Sequence, residues 1–418
     1  MKKPIAPTDQ RPEWPEMLFG SKSVRGLLPL LEQLPPLSDH PNRALQTRDV
    51  FVAHLLAFFN PTLRSLRTLE DFSQTRQAQR YLAVDRLPKS TLADFHRLAD
   101  PAVLEPVVAH LLRETARRGL KAPADLPASV GQVLAVDGTF LALAADVAWA
   151  VRHGTHTGKP KAGVRIDVHL DVASGLPRVV NVHGAGTSEP ASAAPSIVPG
   201  AVHIYDRGYF DFALIQRHLD LSTTVPAPFV MRMREPGQRS PKFDRHEQRS
   251  LSERDRAAGV ISDHVGRLAG SQHRTAPQGL LREVVIASSD EPGGVIRLLT
   301  DLLDVPAWVI GLLYRYRWRV ELFFRWLKAT AHFRHLLSER REAIAFEVYV
   351  AVIGTLLLAL RWDARPSKYA FGLLHQVAGG GATAEEILPI LAERERRCAL
   401  DRESQRRRQE KKAEAKRA

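Results

Sequence analysis

The chain of 418 residues is basic, because 59 lysines and arginines stand against 46 aspartates and glutamates and give a net charge of +13. A globular chain this basic usually binds a polyanion such as DNA, RNA or an anionic membrane surface. Its single cysteine, Cys398, excludes an intrachain disulfide framework and a zinc site built from cysteines. The longest apolar run, residues 348–360, is too short to span a bilayer and predicts a buried helix, and residues 1–17 lack the apolar segment of a secretory signal. We therefore expect a cytosolic protein.

Residues 1–125 predict a helical region. Apolar residues recur at helical spacing in the segments SVRGLLPLLEQL and DVFVAHLLAFF, and Ser90 or Thr91 is a candidate cap for a further helix. The last helix of this region is expected to end at Gly119. Arginines at positions 64, 67, 76 and 80 suit DNA contact, but they suit an ordinary helical bundle equally well.

Strand-like segments follow from about residue 126. Four of them, rich in β-branched residues, lie between 131 and 206, and three more lie between 225 and 300. The polar stretch 235–280 between the latter predicts turns and mobile loops. A long helix is predicted from Pro306, the buried helix follows it, and the basic end of the chain is expected to be helical or frayed.

Two aspartates each follow an apolar strand-like segment. Asp137 follows VLAV and precedes Gly138, and Asp206 follows AVHIY and precedes Arg207 and a glycine. Carboxylates at the ends of neighbouring strands would face one another, as ligand-binding groups do in α/β sheets. They remain ionised at low cost only if a cation lies between them, and carboxylate oxygens favour Mg²⁺ or Mn²⁺. The alternative is that such an aspartate caps the next helix.

A second group of acids has the right chemistry for a metal site. Asp167 and Asp171 alternate with His169 along the segment RIDVHLDV. This alternation predicts a solvated strand face instead.

The helix predicted from Pro306 carries a lone acid, Glu321, among arginines and aromatic residues. An α-helix turns about 100° per residue, so four functional groups of this helix would lie within an arc of roughly 60°. They are a phenol, a guanidinium, a carboxylate and an ammonium group. These belong to Tyr314, Arg317, Glu321 and Lys328. Glu321 could be the third metal-binding acid while Arg317 and Lys328 bind phosphate, or it could form a surface salt bridge.

These residues resemble the signature Y-(2)-R-(3)-E-(6)-K of the IS4 family of insertion-sequence transposases, and the segment YRYRWRVELFFRWLK fills every position of it. The segments AVDGTF and YDRGYF resemble the first and second acidic motifs of the same DDE enzymes. The resemblance is strong over about residues 125–365. It is only general for the helical N-terminal region.

The resemblance implies an α/β fold with an RNase H-like catalytic core, a mixed sheet flanked by helices. The core would be interrupted by a β-rich insertion and preceded by an all-α domain. The implied units are a helical N-terminal DNA-binding domain, two parts of the core, the insertion between them, and a helical basic C-terminal region. The N-terminal domain would comprise residues 1–125 and the C-terminal region residues 366–418. The two parts of the core would comprise residues 126–220 and 304–365, with the insertion at 221–303.

The resemblance also implies the chemistry. Asp137, Asp206 and Glu321 would be catalytic and would hold two Mg²⁺ ions, for which Mn²⁺ could substitute. DNA phosphates would be contacted by Tyr314, Arg317, Lys328, Arg207 and Tyr209. The partners would be double-stranded DNA, at terminal inverted repeats and at a target, and a second copy of the chain in a synaptic dimer. The enzyme would act in the bacterial cytoplasm at the nucleoid, with no membrane partner.

The implied reaction is cut-and-paste transposition, in which hydrolysis exposes a 3′-OH that then attacks target DNA. Two other readings stay open. The chain could be a transposase-derived DNA-binding protein that has lost its chemistry, although all three acids are present. It could also be an RNase H-like nuclease that performs no strand transfer.

Overall fold

The structure is a computed structural model of the chain. It describes residues 21–34, 46–60, 62–63, 65–98, 100–117, 126–142, 151–152, 161–184, 186–234, 242–270, 275–289, 291, 293–330, 337–338, 340–362, 373 and 382–415. The chain divides into two compact units. One comprises residues 1–95 and 366–418, and the other comprises residues 96–365.

The first unit is helical in its described residues. Its helices are α1 (Ser21–Leu31), α2 (Thr47–Phe59), α3 (Leu66–Ser73), the start of α4 (Lys89–Leu98) and the long C-terminal helix α12 (Ala384–Ala415). Helix α2 is buried along most of its length, because its apolar residues leave no polar face. The arginines at 67, 76 and 80 are exposed, and residue 64 lies outside the described residues.

Two details of the helical prediction differ in the structure. Helix α4 begins at Lys89, so Ser90 and Thr91 lie inside its first turn instead of capping it. Helix α5 (Glu105–Arg117) was expected in the N-terminal domain, but it packs in the second unit against α11 (Arg341–Trp362). A hydrogen bond of 3.1 Å from the Tyr349 hydroxyl to Glu105 joins these two helices.

Helix α11 confirms the helix expected at residues 348–360. Val348, Val350, Val352 and Ile353 are all at most 2% exposed. None of the helices in the described part of the chain combines the length and apolar character needed to cross a membrane.

The second unit is built on one ten-stranded mixed sheet. Its strands are β1 (Gln132–Ala142), β2 (Val151–Arg152), β3 (Lys161–Asp171), β4 (Pro177–Gly184), β5 (Ala201–Tyr205), β6 (Phe229–Arg232), β7 (Phe243–Gln248), β8 (Val260–Leu268), β9 (Leu281–Ala287) and β10 (Val295–Thr300). The strand order is β4-β3-β1-β5-β6-β10-β9-β8-β7, with the short β2 beside β3. Strands β1, β5 and β6 are parallel, and β3 is antiparallel to both β1 and β4.

The strands expected to form a separate β-rich insertion continue this sheet. Strand β6 pairs with β5, and β10, β9, β8 and β7 follow it in an antiparallel ladder. The polar stretch 235–280 holds β7, β8 and the short helix α8 (Glu253–Ala257), so the prediction of loops alone was wrong there. The exposed pattern of β7 explains the error, because an edge strand with polar side chains has no apolar signature.

Helices cover both faces of the sheet near the site. On one face, α6 (Glu189–Ala193) and α7 (Phe212–Ser222) enclose a core that includes Val136, Tyr205 and Tyr209. Helix α9 (Ala307–Arg315) contacts β5 and β6, and α10 (Trp318–Thr330) contacts β1 and β3. Because side chains alternate along a strand, Val136 and Asp137 point to opposite faces, and Asp137 points towards α10.

Candidate active site

The register of β1 and β5 places the two aspartates side by side. The parallel ladder runs from Gln132 and Ala201 to its last pair, Val136 and Tyr205. The next residue on each strand is Asp137 and Asp206, and neighbouring strands lie about 5 Å apart. The sheet therefore presents two carboxylates from segments that are distant in sequence.

Asp137 lies within β1 and not at its end. The strand continues to Ala142 because β3 still pairs with it, and Asp137 stands opposite Val168. Only the pairing with β5 stops at residue 136, which leaves the edge beside Asp137 open. The expectation that the strand would end at Asp137 was therefore wrong, although the carboxylate side chain is still 21% exposed.

Each aspartate is oriented by the backbone that follows it. Asp137 Oδ1 accepts a hydrogen bond of 2.8 Å from the Gly138 N–H, and Asp206 Oδ1 accepts one of 2.8 Å from the Arg207 N–H. Asp206 caps a single 3-10 turn, Arg207–Tyr209. Helix α7 has its own cap, Asp211, so capping of that helix does not account for Asp206.

The long helix predicted from Pro306 is broken at the site. Helix α9 ends at Arg315 and α10 starts at Trp318, and hydrogen bonds between residues three apart tighten the chain between them. Tyr314 therefore lies in the last turn of α9, Arg317 in the break, and Glu321 in the first turn of α10. A single stripe on one continuous helix was the wrong description of this segment.

The three acids converge on the guanidinium of Arg317. Arg317 Nη2 lies 2.6 Å from Glu321 Oε1, and Arg317 Nη1 lies 3.7 Å from Asp137 Oδ2 and 3.8 Å from Asp206 Oδ2. The Arg317 side chain is 12% exposed, whereas the acids are 21–31% exposed. The salt bridge to Glu321 is therefore present, and it is one of three contacts to a single positive group.

The electrostatics of the site favour additional positive charge. Burial is the largest cause that raises the pKa of Asp137 from 3.8 to about 6. The charges of Asp206 and Glu321 act in the same direction, and Gly138 and Arg317 act against it. Three carboxylates face one guanidinium, so negative charge remains in excess once all three are ionised. This excess of negative charge favours a further positive charge near the three acids.

Tyr314 links this cluster to the next strand. Its hydroxyl donates a hydrogen bond of 3.0 Å to Asp206 Oδ1, and the Arg317 guanidinium lies over its ring at 5.7 Å from the centroid. Burial and the charge of Asp206 raise the pKa of Tyr314, which keeps the hydroxyl a donor. Arg232 on β6 also interacts with Tyr314 and forms an ion pair of 2.6 Å with Glu291.

The remaining predicted DNA-contacting residues differ in placement. Arg207 is exposed beside Asp206. Lys328 lies in the last turn of α10, about 10 Å along the helix from Glu321, and burial lowers its pKa. Tyr209 is fully buried, and its hydroxyl donates to Asp167 at 3.0 Å. The prediction that Tyr209 contacts DNA was wrong, because the sheet and α7 enclose its side chain.

A buried polar layer behind the aspartates was missed. Asp167 and His169 are both 0% exposed, although their alternation with Asp171 along β3 predicted a solvated face, and Arg165 on the same face is 3% exposed. Strand β3 is internal to the sheet, and α6 contacts it. Alternation of charged and apolar residues indicates a solvated face only where no other element covers that face of the strand. The sequence pattern does not reveal whether a helix packs there.

The three carboxylates have the oxygen ligands of a divalent metal site, but the space between them is occupied by the Arg317 guanidinium. Among the residues that the structure describes, no three histidine, cysteine or carboxylate side chains are close enough to hold a metal ion as they stand. The position that all three acids approach is occupied by the positive charge of the guanidinium.

Comparison with protein families gives one match over most of this unit. Residues 128–357 match the family described as the transposase DDE domain. Members of this family typically use a divalent metal ion. The matched range contains all three acids and both helices of the broken segment. The resemblance to DDE transposases is confirmed, whereas membership of the IS4 subfamily stays a prediction.

Two relatives are similar over parts of their length. A Sinorhizobium fredii protein named provisionally as transposase y4zB is 28% identical over 226 residues, 54% of this chain and 59% of its own length. The probable transposase for insertion sequence element IS5377 of Geobacillus stearothermophilus is 27% identical over 264 residues, 62% of this chain and 63% of its own length. The chain thus spans about three fifths of these relatives.

Solved structures were also matched. A piggyBac transposase synaptic complex with hairpin DNA, determined by cryo-electron microscopy, aligns with a TM-score of 0.37 and 10% sequence identity. The alignment covers 91% of this chain and 83% of that one.

The raised pKa of Asp137 makes a prediction for stability. The folded state binds the Asp137 proton more tightly than the unfolded state, so ionisation of Asp137 costs folding free energy as the pH rises from 3.8 through about 6. In the absence of metal, Asp137→Asn should raise the free energy of unfolding at pH 8 by about 1–3 kcal/mol. This gain should vanish at pH values below 3.8. Denaturant titrations across pH measure it.

The control is Asp244→Asn, which changes an exposed carboxylate on β7, outside the cluster of three acids. A lower stability of Asp137→Asn at pH 8 would show that the contact with Arg317 outweighs the cost of burying the charge.

Proposed function

Because this chain belongs to the transposase DDE-domain family, we propose that it is a DNA transposase that moves an insertion sequence by cut and paste. Water hydrolyses the phosphodiester bond at each terminal inverted repeat and leaves a 3′-OH on the element. That hydroxyl then attacks a phosphodiester bond of target DNA, which joins the element to its new site and releases the target strand's own 3′-OH.

One observation carries this proposal. Asp137, Asp206 and Glu321 come from β1, the end of β5 and α10, and all three contact the same guanidinium. A merely structural ion pair needs one acid, and burying three around one base is costly. The convergence is what a cation-dependent phosphoryl-transfer site requires.

The same three acids would hold two Mg²⁺ ions, for which Mn²⁺ could substitute. Their oxygens are ligands that these ions prefer, and they remain partly open to solvent. When bound, the ions would activate the attacking oxygen and stabilise the leaving oxygen of the phosphodiester.

The surrounding residues have separate tasks. Tyr314 holds Asp206 in orientation through its hydroxyl. Arg317 offsets part of the negative charge of the acids in the free protein. Its guanidinium would contact a DNA phosphate in the complex, to which it can donate two hydrogen bonds. Lys328 and Arg207 would add positive charge along the same DNA strand. Burial lowers the pKa of Lys328, which a neighbouring phosphate would oppose.

The substrate class follows from charge as well as from the site. The net charge of +13 and the isoelectric point near 10.0 favour binding of double-stranded DNA. We propose that the helical N-terminal region contributes to this binding and that two copies of the chain bring two element ends together. Such an enzyme would act at the bacterial nucleoid.

The sheet supports an RNase H-like core. Three antiparallel strands, β4, β3 and β1, are followed by the parallel strands β5 and β6. The first acid lies on β1 and the second directly after β5. With the two-residue β2 set aside, these are the first and fourth strands of the core, where this fold is expected to place them.

The acids should be required for chemistry and not for DNA binding. Asp137→Asn, Asp206→Asn and Glu321→Gln should each reduce Mg²⁺-dependent cleavage of DNA that carries the ends of the element by about 10³-fold or more, because the site loses a metal ligand. Binding of the same DNA should persist. Cleavage is measured on gels and binding by fluorescence anisotropy.

Asp211→Asn, which keeps a helix-capping side chain outside the cluster, serves as the control. Near-normal cleavage by any one of the three variants would refute the assignment of that acid. If the unmodified protein binds but never cuts, the chain is a DNA-binding derivative, and if it cuts without joining ends to target DNA, it is a nuclease.

Arg317 should compete with metal ions for the three acids and should strengthen DNA binding. In Arg317→Ala the three acids lose the positive charge that competes with a metal ion. Mn²⁺ should therefore bind the DNA-free protein several-fold more tightly, the effect expected from removing about one charge–charge contact. The same variant should bind element ends more weakly, and the slope of log affinity against log salt should decrease in magnitude by about 1. Electron paramagnetic resonance measures the first and anisotropy the second.

The control for this prediction is Arg315→Ala, which removes an exposed arginine two residues away in the last turn of α9. Unchanged or weaker Mn²⁺ binding by Arg317→Ala would contradict the placement of the guanidinium at the cation position.

A further inference from the structure

A buried ion pair lies on the face of the sheet opposite the three acids. Arg165 Nε donates to both carboxylate oxygens of Asp167, at 2.8 and 2.9 Å, and the two side chains are 4% and 0% exposed. Ser192 donates a further hydrogen bond of 2.5 Å to Asp167. Burying such a pair seldom stabilises a fold more than apolar residues of similar size would. The contacts that this pair makes with neighbouring segments point to another role for it.

The pair contacts the turn that carries Asp206. The Tyr209 hydroxyl donates to Asp167 Oδ1 at 3.0 Å, and Arg165 Nη2 lies 3.3 Å from the same hydroxyl. Arg165 also forms an ion pair of 3.2 Å with Glu189 on α6. A Cβ atom at Gly208 would collide with the Glu189 carboxylate, so the glycine allows the turn to lie directly against this acid.

The same pair contacts the strand that carries Asp137. Gly138 stands opposite Asp167 in the ladder between β1 and β3. A Cβ atom at Gly138 would collide with both Asp167 and the Arg165 guanidinium. Since Gly138 also donates its N–H to Asp137, the backbone that orients the first acid rests on the buried pair.

One polar cluster thus supports both acid-bearing segments from behind. We propose that Tyr209, held by Asp167 and Arg165, is a positioning residue that fixes the separation of the Asp137 and Asp206 carboxylates. This inference rests on the proposed function, because it assigns the separation to metal binding and DNA cleavage. Tyr209 touches neither substrate nor metal and acts only through the backbone of the 3-10 turn, Arg207–Tyr209.

A matched pair of variants tests the proposal. Tyr209→Phe removes the hydroxyl that reaches Asp167 and keeps the ring. Tyr205→Phe removes a hydroxyl from an equally buried ring in the same core, where its partner is His218 at 2.9 Å. Tyr205 directly precedes Asp206, which makes it a stringent control for general damage to this segment.

The readouts are Mn²⁺ affinity without DNA, the rate of end cleavage at saturating Mg²⁺, and thermal stability. Tyr209→Phe should weaken Mn²⁺ binding and slow cleavage by about tenfold, as loss of an outer-layer partner does in metal sites. Its KM for DNA should stay within about twofold of the unmodified protein, because phosphate contacts are untouched. Tyr205→Phe should leave affinity and rate nearly unchanged at a comparable loss of stability.

Equal effects of the two phenylalanine variants on Mn²⁺ affinity would overturn the proposal. If Tyr209→Phe does not fold, Ser192→Ala replaces it, since it removes another hydrogen bond to Asp167. Its control is Ser196→Ala, which removes the hydroxyl that accepts from Asn181 at 2.7 Å. Equal Mn²⁺ affinities of this second pair would then overturn the proposal.

Asp137→Asn separates this inference from the proposed function. If Asp137→Asn binds Mn²⁺ as well as the unmodified protein, the metal site itself is wrong. If Asp137→Asn loses Mn²⁺ binding while Tyr209→Phe behaves like Tyr205→Phe, only the positioning role is wrong.

Discussion

The approach of three carboxylates to one cation position is the constraint on which the rest of the site depends. Like charges at this distance repel, and burial raises the pKa of Asp137 to about 6. In the free protein the positive charge of Arg317, which lies in the break between α9 and α10, partly compensates this repulsion. A continuous helix would place Tyr314, Arg317 and Glu321 on one stripe, whereas the break lets the tyrosine reach Asp206 while the arginine reaches all three acids.

The sheet supplies the other half of the geometry. The end of the β1–β5 ladder at Val136 and Tyr205 sets the lateral spacing of the two aspartates. The glycines that follow them, Gly138 and Gly208, leave room for charged side chains to approach from the opposite face. Strands β7 to β10 extend this sheet beyond the core. Asp255 on α8 accepts a hydrogen bond of 2.8 Å from the Trp308 N–H at the start of α9, so the extension also positions the helix that carries Tyr314.

The sequence predicted the acids and most strands, because these depend on local patterns. An apolar run that ends in Asp-Gly or Asp-Arg-Gly can be read directly, and so can the spacing of Tyr314, Arg317 and Glu321. The helix break, the burial of Arg165 and Asp167, and the continuation of the sheet through 243–268 depend on tertiary packing. Tyr209 shows the limit most clearly, since its position beside Asp206 suggested DNA contact whereas its ring lies in the core.

The central claim is that Asp137, Asp206 and Glu321 surround one cation position, and localised backbone cleavage by bound Fe²⁺ tests it most directly. With ascorbate and peroxide, Fe²⁺ generates hydroxyl radicals that cut the chain close to the metal, and mass spectrometry maps the cuts. We predict cuts near residues 137, 206 and 321 together, all suppressed by excess Mg²⁺. Cuts confined to one of these segments, or cuts that persist in excess Mg²⁺, would contradict the account.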